Sequence, residues 1–150
     1  MRLALSLLLI LCFSASAAEA KRHPCRPNGS KTEAHDADGR VYSVKAAYGD
    51  RSYFACLYRS GLTRTVGTYD GFDDQLLHIE IASPFVAFSS RDVSSQGSAD
   101  GLERLNVATG RRRGLELAAQ GQIRRFFITS SGATVWFKFS GGAFATGEIK

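Results

Sequence analysis

Apolar and polar residues trade places along Leu77-His78-Ile79-Glu80-Ile81, a period of two that predicts a half-buried β-strand. Three other runs behave differently. Ser52-Tyr53-Phe54-Ala55-Cys56-Leu57-Tyr58, Phe85-Val86-Ala87-Phe88 and Val135-Trp136-Phe137 are apolar at successive positions, so each is expected to be covered on both faces. They are rich in aromatic and β-branched residues, which pack well on a pleated surface. Between the runs fall the turn-forming pairs Asp38-Gly39, Gly49-Asp50, Ser60-Gly61, Asp70-Gly71, Asp100-Gly101, Thr109-Gly110 and Ser131-Gly132. Turns spaced by roughly ten residues indicate an all-β domain. Only residues 115–120 have helix-forming composition. They are too few for a stable helix, Gly114 and Gly121 bracket them, and the segment reads as a strand end and loop.

A longer period overlies the first. Val41-Tyr42-Ser43-Val44 leads through a polar turn to Tyr53-Phe54-Ala55-Cys56-Leu57, then to Arg59-Ser60-Gly61-Leu62-Thr63-Arg64-Thr65-Val66. Val86-Ala87-Phe88 leads through a longer polar turn to Leu102-Glu103-Arg104-Leu105-Asn106-Val107, then to Ala108-Thr109-Gly110-Arg111-Arg112-Arg113. Cys56 precedes Gly61 by five residues, as Leu105 precedes Gly110. A third copy begins at Ser131-Gly132-Ala133-Thr134-Val135-Trp136-Phe137 and reaches Gly147-Glu148-Ile149-Lys150. The starts at Val41, Val86 and Val135 lie 45 and 49 residues apart, a period that suits a four-stranded propeller blade. On these motifs the chain, from residue 24 to about 140, resembles the WD40-like and TolB-like β-propeller group. More closely, it resembles a family of uncharacterised exported bacterial proteins of actinobacterial type. The resemblance implies stacked blades and carries no activity with it.

A closed ring needs at least four blades. The units here, about 29–70, 76–118 and 122–150, make two and a partial third. The expected fold is therefore all-β, with antiparallel four-stranded propeller-like blade repeats, open or sandwich-like rather than a closed propeller. An open stack leaves a bare apolar face and bare strand edges. Folding into a sandwich, self-association, or descent from a longer protein would each account for it.

The first twenty residues read as a secretory signal peptide. Arg2 is followed by an apolar run over residues 3–13, then by small residues that permit cleavage after Ala17 or Ala20. The run is about half the length a bilayer span requires. Leu11 before Cys12 does not match a lipidation site. The remaining residues, 21–150, form one domain with no transmembrane segment and two cysteines, Cys25 and Cys56. An even count in an exported chain predicts a disulfide. A two-cysteine metal site would need further ligands at finger spacing, and only His23 is near. The expected location is secreted, extracellular or at the cell surface.

Nineteen Lys and Arg against fourteen Asp and Glu give a net charge of +5, which favours anionic partners. For an exported protein these are wall polymers or acidic glycans; no nucleic-acid motif is present. Arg111-Arg112-Arg113 and Arg124-Arg125 would form an anion-binding patch if their segments were neighbouring strands. Charges that protect sheet edges are the plainer reading. Trp136 and its phenylalanine neighbours are read as core before sugar platform.

Candidates for catalysis are weaker. His23, His35 and His78 make no triad with Ser130-Ser131-Gly132, which lacks the strand-to-helix elbow of a serine hydrolase. Asp36-Ala37-Asp38-Gly39 opens like a calcium loop, but Ala47 stands where the late glutamate belongs, and a type I′ hairpin is preferred. Asp70, Asp73 and Asp74 read as a solvated turn before a glycosidase site. No cofactor or metal is expected. The leading function is a non-catalytic binding or interaction module at the cell surface. The alternatives are a secreted hydrolase with a carboxylate site and a shortened propeller relative without activity of its own.

Overall fold

The computed structural model of the chain describes residues 25–94, 97–117, 122–140 and 143–149. The signal segment with both cleavage points, Cys12 and His23 lie outside the described residues. The first sheet is a meander of β1 (Lys31–His35), β2 (Gly39–Lys45), β3 (Arg51–Leu57) and β4 (Thr63–Tyr69). The second contains β5 (Asp74–Ala82), β6 (Phe85–Ser94), β7 (Gly97–Asn106) and β8 (Arg112–Leu117). The third contains β9 (Gln122–Ile128), β10 (Thr134–Ser140) and β11 (Ala143–Ile149). The molecule is thus all-β, with antiparallel sheets of 4, 4 and 3 strands, none closed into a barrel. Among the described residues, no helix is long and apolar enough to cross a membrane.

Stacking explains the doubly apolar run of β6. Val86 and Phe88, with Leu105 and Val107, meet Val41, Ala55 and Val66 of the first sheet in one core. Ala87 points the other way and joins Leu102 and Phe126 in a second core, against Ile123, Ile128 and Trp136 of the third sheet. Successive side chains on a strand face opposite sides, so one run serves both cores. Each large side chain buried this way contributes roughly 1.5–3 kcal/mol. Leu76, Ile79 and Ile81 of β5 pack on the first core. A register shift between Leu76 and His78 leaves Leu77 on the exposed side.

The run on β10 departs from its expectation. Trp136 packs into the second core, but Val135 and Phe137 stay 40% and 37% exposed. The third sheet stacks on the second by one face only, and Phe127 lies beside Phe137 on the other, with ring centroids 6.3 Å apart. Trp136 is therefore core rather than platform. Two further corrections concern turns. The stretch read as a long polar turn after Phe88 is mostly strand, since β6 continues to Ser94 and β7 starts at Gly97. Within it, Arg91 Nε and Nη2 donate to the buried Asp100 carboxylate at 2.7 and 3.2 Å. The β1–β2 hairpin is not type I′, because neither Ala37 nor Asp38 has positive φ. A left-handed pair falls instead at Tyr48 (φ 60) and Gly49 (φ 95).

Polar side chains fix the sheets to one another. Asp36 Oδ1 accepts from the Asp38 and Gly39 amides of its own turn and from Ser83 Oγ, and Oδ2 accepts from the Ser83 amide at 2.7 Å. This joins the β1–β2 turn to the β5–β6 turn. Burial would raise the Asp36 carboxyl, but the Ser83, Asp38 and Gly39 donors outweigh it and hold it below its ordinary value. Arg112 Nη2 donates to the Thr65 and Val66 carbonyls across the first seam. Across the second, Arg104 Nη1 donates to Gly132 O, and the Ile123 amide donates to Asp100 Oδ2 at 2.9 Å.

Candidate functional site

The first sheet has one face in the stack and one outside it. On the outer face, Cys25 bonds to Cys56 over a separation of 31 residues. Closing such a loop contributes roughly 3–4 kcal/mol in the chain-entropy account. Both half-cystines are buried with Tyr42, against Val44, Phe54 and Tyr58. The disulfide seats the arm beside a row that runs straight across three strands. His35 of β1 is the register partner of Arg40 on β2, and Arg40 is the partner of Cys56 on β3.

Between arm and sheet lies an open cavity of about 330 Å³, lined by Cys25, Arg26, Thr32, His35, Arg40 and Tyr58. That volume is at the lower end of the range for small-molecule sites, roughly 300–1,000 Å³. Arg40 is its most unusual component. The residue is 4% exposed, yet its Nε and Nη2 are buried with no hydrogen-bond partner. The guanidinium carbon lies 5.1 Å from the Tyr42 ring centroid, and that ring stacks on Phe54 at 5.5 Å. A cation–π contact offsets part of the charge. It leaves two donor nitrogens unsatisfied, each of which costs about 1–3 kcal/mol when buried.

The second sheet shows how unusual this position is. The hairpins closing β3–β4 and β7–β8 carry the same bonds: Gly61 N to Leu57 O and Leu57 N to Leu62 O in one, Gly110 N to Asn106 O and Asn106 N to Arg111 O in the other. Cys56 therefore corresponds to Leu105, and their register partners Arg40 and Val86 correspond. Val86 and Leu105 are core residues packed on the first sheet. Where the second sheet packs a valine against a neighbouring sheet, the first places an arginine beside a disulfide and a cavity.

The residues expected to bind anions are placed separately. Arg111, Arg112 and Arg113 lie at the β7–β8 hairpin and along β8 in the second sheet, whereas Arg125 is exposed on β9 in the third. These strands are not hydrogen-bonded neighbours. Arg112 is engaged in the first seam, with its guanidinium 5.8 Å from the Phe88 ring and Nη1 3.4 Å from Glu103. Arg124 belongs to β9, and its side chain lies outside the description. Other candidates are structural as well. His78 meets Glu80 at 3.0 Å and the edge of the Phe126 ring. Ser131 shares a hydrogen bond with Thr129. Asp70 caps its own loop, and the Phe72 and Asp74 amides hold its carboxyl below the ordinary value. Among the described residues, no three His, Cys, Asp or Glu side chains converge on a metal site.

Sequence reasoning missed Arg40, since Gly39-Arg40 reads as the polar end of a turn. The register implied by Gly61 and Gly110 held the signal, because it sets Arg40 against Val86. Comparison of the chain with protein-family models, with curated proteins and with solved structures returns no match.

Proposed function

We propose that the chain is an exported, non-catalytic binding module of the cell surface, and that its cavity beside the Cys25–Cys56 disulfide takes an anionic group of a wall polymer or glycan. One observation carries this reading: the buried Arg40 lines the cavity, and its guanidinium has no carboxylate partner among the described residues. Arg26 and His35 line the same space, and its described lining contains no carboxylate to oppose an anion. The net charge of +5 supports the same class of partner. The disulfide suits an oxidising compartment, and residues 1–20 serve as the export signal. We read the three meanders as related blade-like units, on the matched hairpins at Gly61 and Gly110.

The test is calorimetric titration of the chain, purified after export, with polygalacturonate and with a neutral glucan of similar length. The acidic polymer should bind and the neutral one should not. Arg40→Met should abolish the heat of binding. An Arg40→Met protein that binds as native, or equal binding of both polymers, would overturn the reading. Sequencing of the exported N-terminus should begin at residue 18 or 21.

A further inference from the structure

Among the described residues the third sheet has three strands, where the first and second have four. We propose that the open edge of β11 takes one extended peptide segment of a partner protein, which adds to the sheet as a fourth strand. The edge lies in the third sheet, apart from the cavity on the first, and binding at one does not require the other.

A bare strand edge invites pairing with other chains, and proteins guard such edges with charges or β-bulges. The edge strands β1, β4, β5 and β9 each pair with their neighbour through a register shift. β8 is regular, but it carries Arg112, Arg113 and Glu116 among its 6 residues. β11 has neither guard. It pairs with β10 in unbroken register from Thr134–Ile149 to Ser140–Ala143, and Glu148 is its one charged residue. A straight, almost uncharged edge is suited to strand addition, in which main-chain hydrogen bonds supply affinity and alternate side chains supply specificity.

The register shows what such a strand would meet. Two residues join β10 to β11, so Ser140 and Ala143 close the hairpin as a hydrogen-bonded pair. Counting from there, Lys138–Ala145 and Trp136–Gly147 are hydrogen-bonded pairs as well, and the N–H and C=O groups of Phe144 and Thr146 turn to the open edge. A Cβ at Gly147 would overlap the Trp136 indole, so the indole lies over the glycine, on the edge side of β10. The residue added beside Gly147 would set its side chain against that ring, which favours an apolar residue. Its neighbours would stand beside the exposed Thr146 and Glu148, which favours polar residues, with a cation opposite Glu148. The segment is therefore one that alternates apolar and polar residues.

The stacking of the sheets selects a single strand. The rings of His78 on β5 and Phe126 on β9 are 5.0 Å apart, and Trp136 of β10 packs on the cluster of Ala87, Leu102 and Phe126. The second and third sheets thus run in the same order, and β8 reaches past β11. A second copy paired antiparallel through β11 would carry its own second sheet on the same side, and the two β8 strands would collide. A peptide brings no second sheet. In the fourth place it would lie against β8, as β4 does in the first seam, where Arg112 reaches Thr65 and Val66.

Trp136 is the chain's only tryptophan, so its fluorescence reports strand addition. The probe is a short peptide alternating valine with threonine and lysine, titrated into the chain purified after export. Two further peptides carry N-methyl groups on one or the other set of alternate residues. The parent peptide should shift the Trp136 emission to saturation, with light scattering showing a monomeric chain. One N-methylated peptide should bind as the parent and the other at least tenfold more weakly, because only one set of amides can face β11. Thr146→Pro removes an outward N–H without breaking the ladder to β10. It should weaken binding of the parent at least tenfold while its thermal melt stays near native; if it unfolds, the N-methylated pair decides. Arg40→Met should bind the peptide as native, so that failure at this edge and failure at the cavity are read separately. No binding of the parent, equal binding of both N-methylated peptides, or native binding by a folded Thr146→Pro would overturn the proposal. So would a dimer that Thr146→Pro dissolves, which would make a second copy the occupant.

Discussion

Arg40 is held where its charge is expensive. A residue 4% exposed with two unpaired donors stabilises the fold less than an apolar residue of similar reach would. Arg40→Met should therefore raise stability in ligand-free buffer by about 1–3 kcal/mol, the cost of the lost donors, read as a higher urea midpoint. A lower midpoint would mean that the guanidinium is satisfied in solution. Tyr69 makes a second residue-scale case. Burial, with the nearby Glu103 charge, pushes its hydroxyl up to about 12. A folded value above the unfolded one, roughly 10, means that Tyr69 favours the folded state fully below pH 10. That contribution is lost as pH rises from 10 to about 12. Ultraviolet titration should show a late tyrosine component that shrinks in Tyr69→Phe, and the variant should lose less stability across that window than the native chain.

Between elements, the turns carry more than reversal of the chain. Asp36 links the first sheet to the second through Ser83, and its lowered carboxyl sets the sign of the pH effect. The ionised form favours folding above the unfolded carboxyl value, roughly 3.9, and the contribution is lost as pH falls through the lower folded value. Asp36→Asn should cost no more than about 1–2 kcal/mol at pH 7, because the group is half-exposed and partly screened. Urea melts at pH 7 and pH 3 test this, and the gap between variant and native should narrow in acid. An equal gap at both would show that Asp36 acts by shape alone. The same turn shows what could be read from the sequence. Asp-Gly marked the reversal correctly, but its geometry follows from Asp36 accepting its own amides, not from a left-handed pair. Strands were legible wherever apolar residues supplied a period. β1, with Lys31-Thr32-Glu33-Ala34-His35, and the distal half of the β6–β7 ribbon were not, since their polar residues are satisfied by partners distant in sequence, as Ser43 bonds Glu33 and Asp100 bonds Arg91. Arg40 escaped notice for the same reason: its meaning depends on Cys56 across the sheet and on the arm beyond it.

In the whole molecule the second sheet is the one packed on both faces, and this predicts how damage spreads. Phe88 belongs to the core shared with the first sheet, and Phe126, on β9, to the core shared with the third. The two clusters have no residue in common. Phe88→Leu and Phe126→Leu should each destabilise by about 1–2 kcal/mol, through lost contact and incomplete collapse of the space. If the second sheet acts as a rigid partition, the double variant should show the sum of the two costs to within about 0.5 kcal/mol. A substantial excess would show that loosening one seam loosens the other, through shifts of β6 and β7, which contribute to both cores. The cavity supplies an independent reading of the same experiment, because Arg40 lies on the face of the first sheet turned away from both seams. Phe126→Leu should leave polygalacturonate affinity unchanged, whereas coupling through the stack would appear as weaker binding at a site two sheets away.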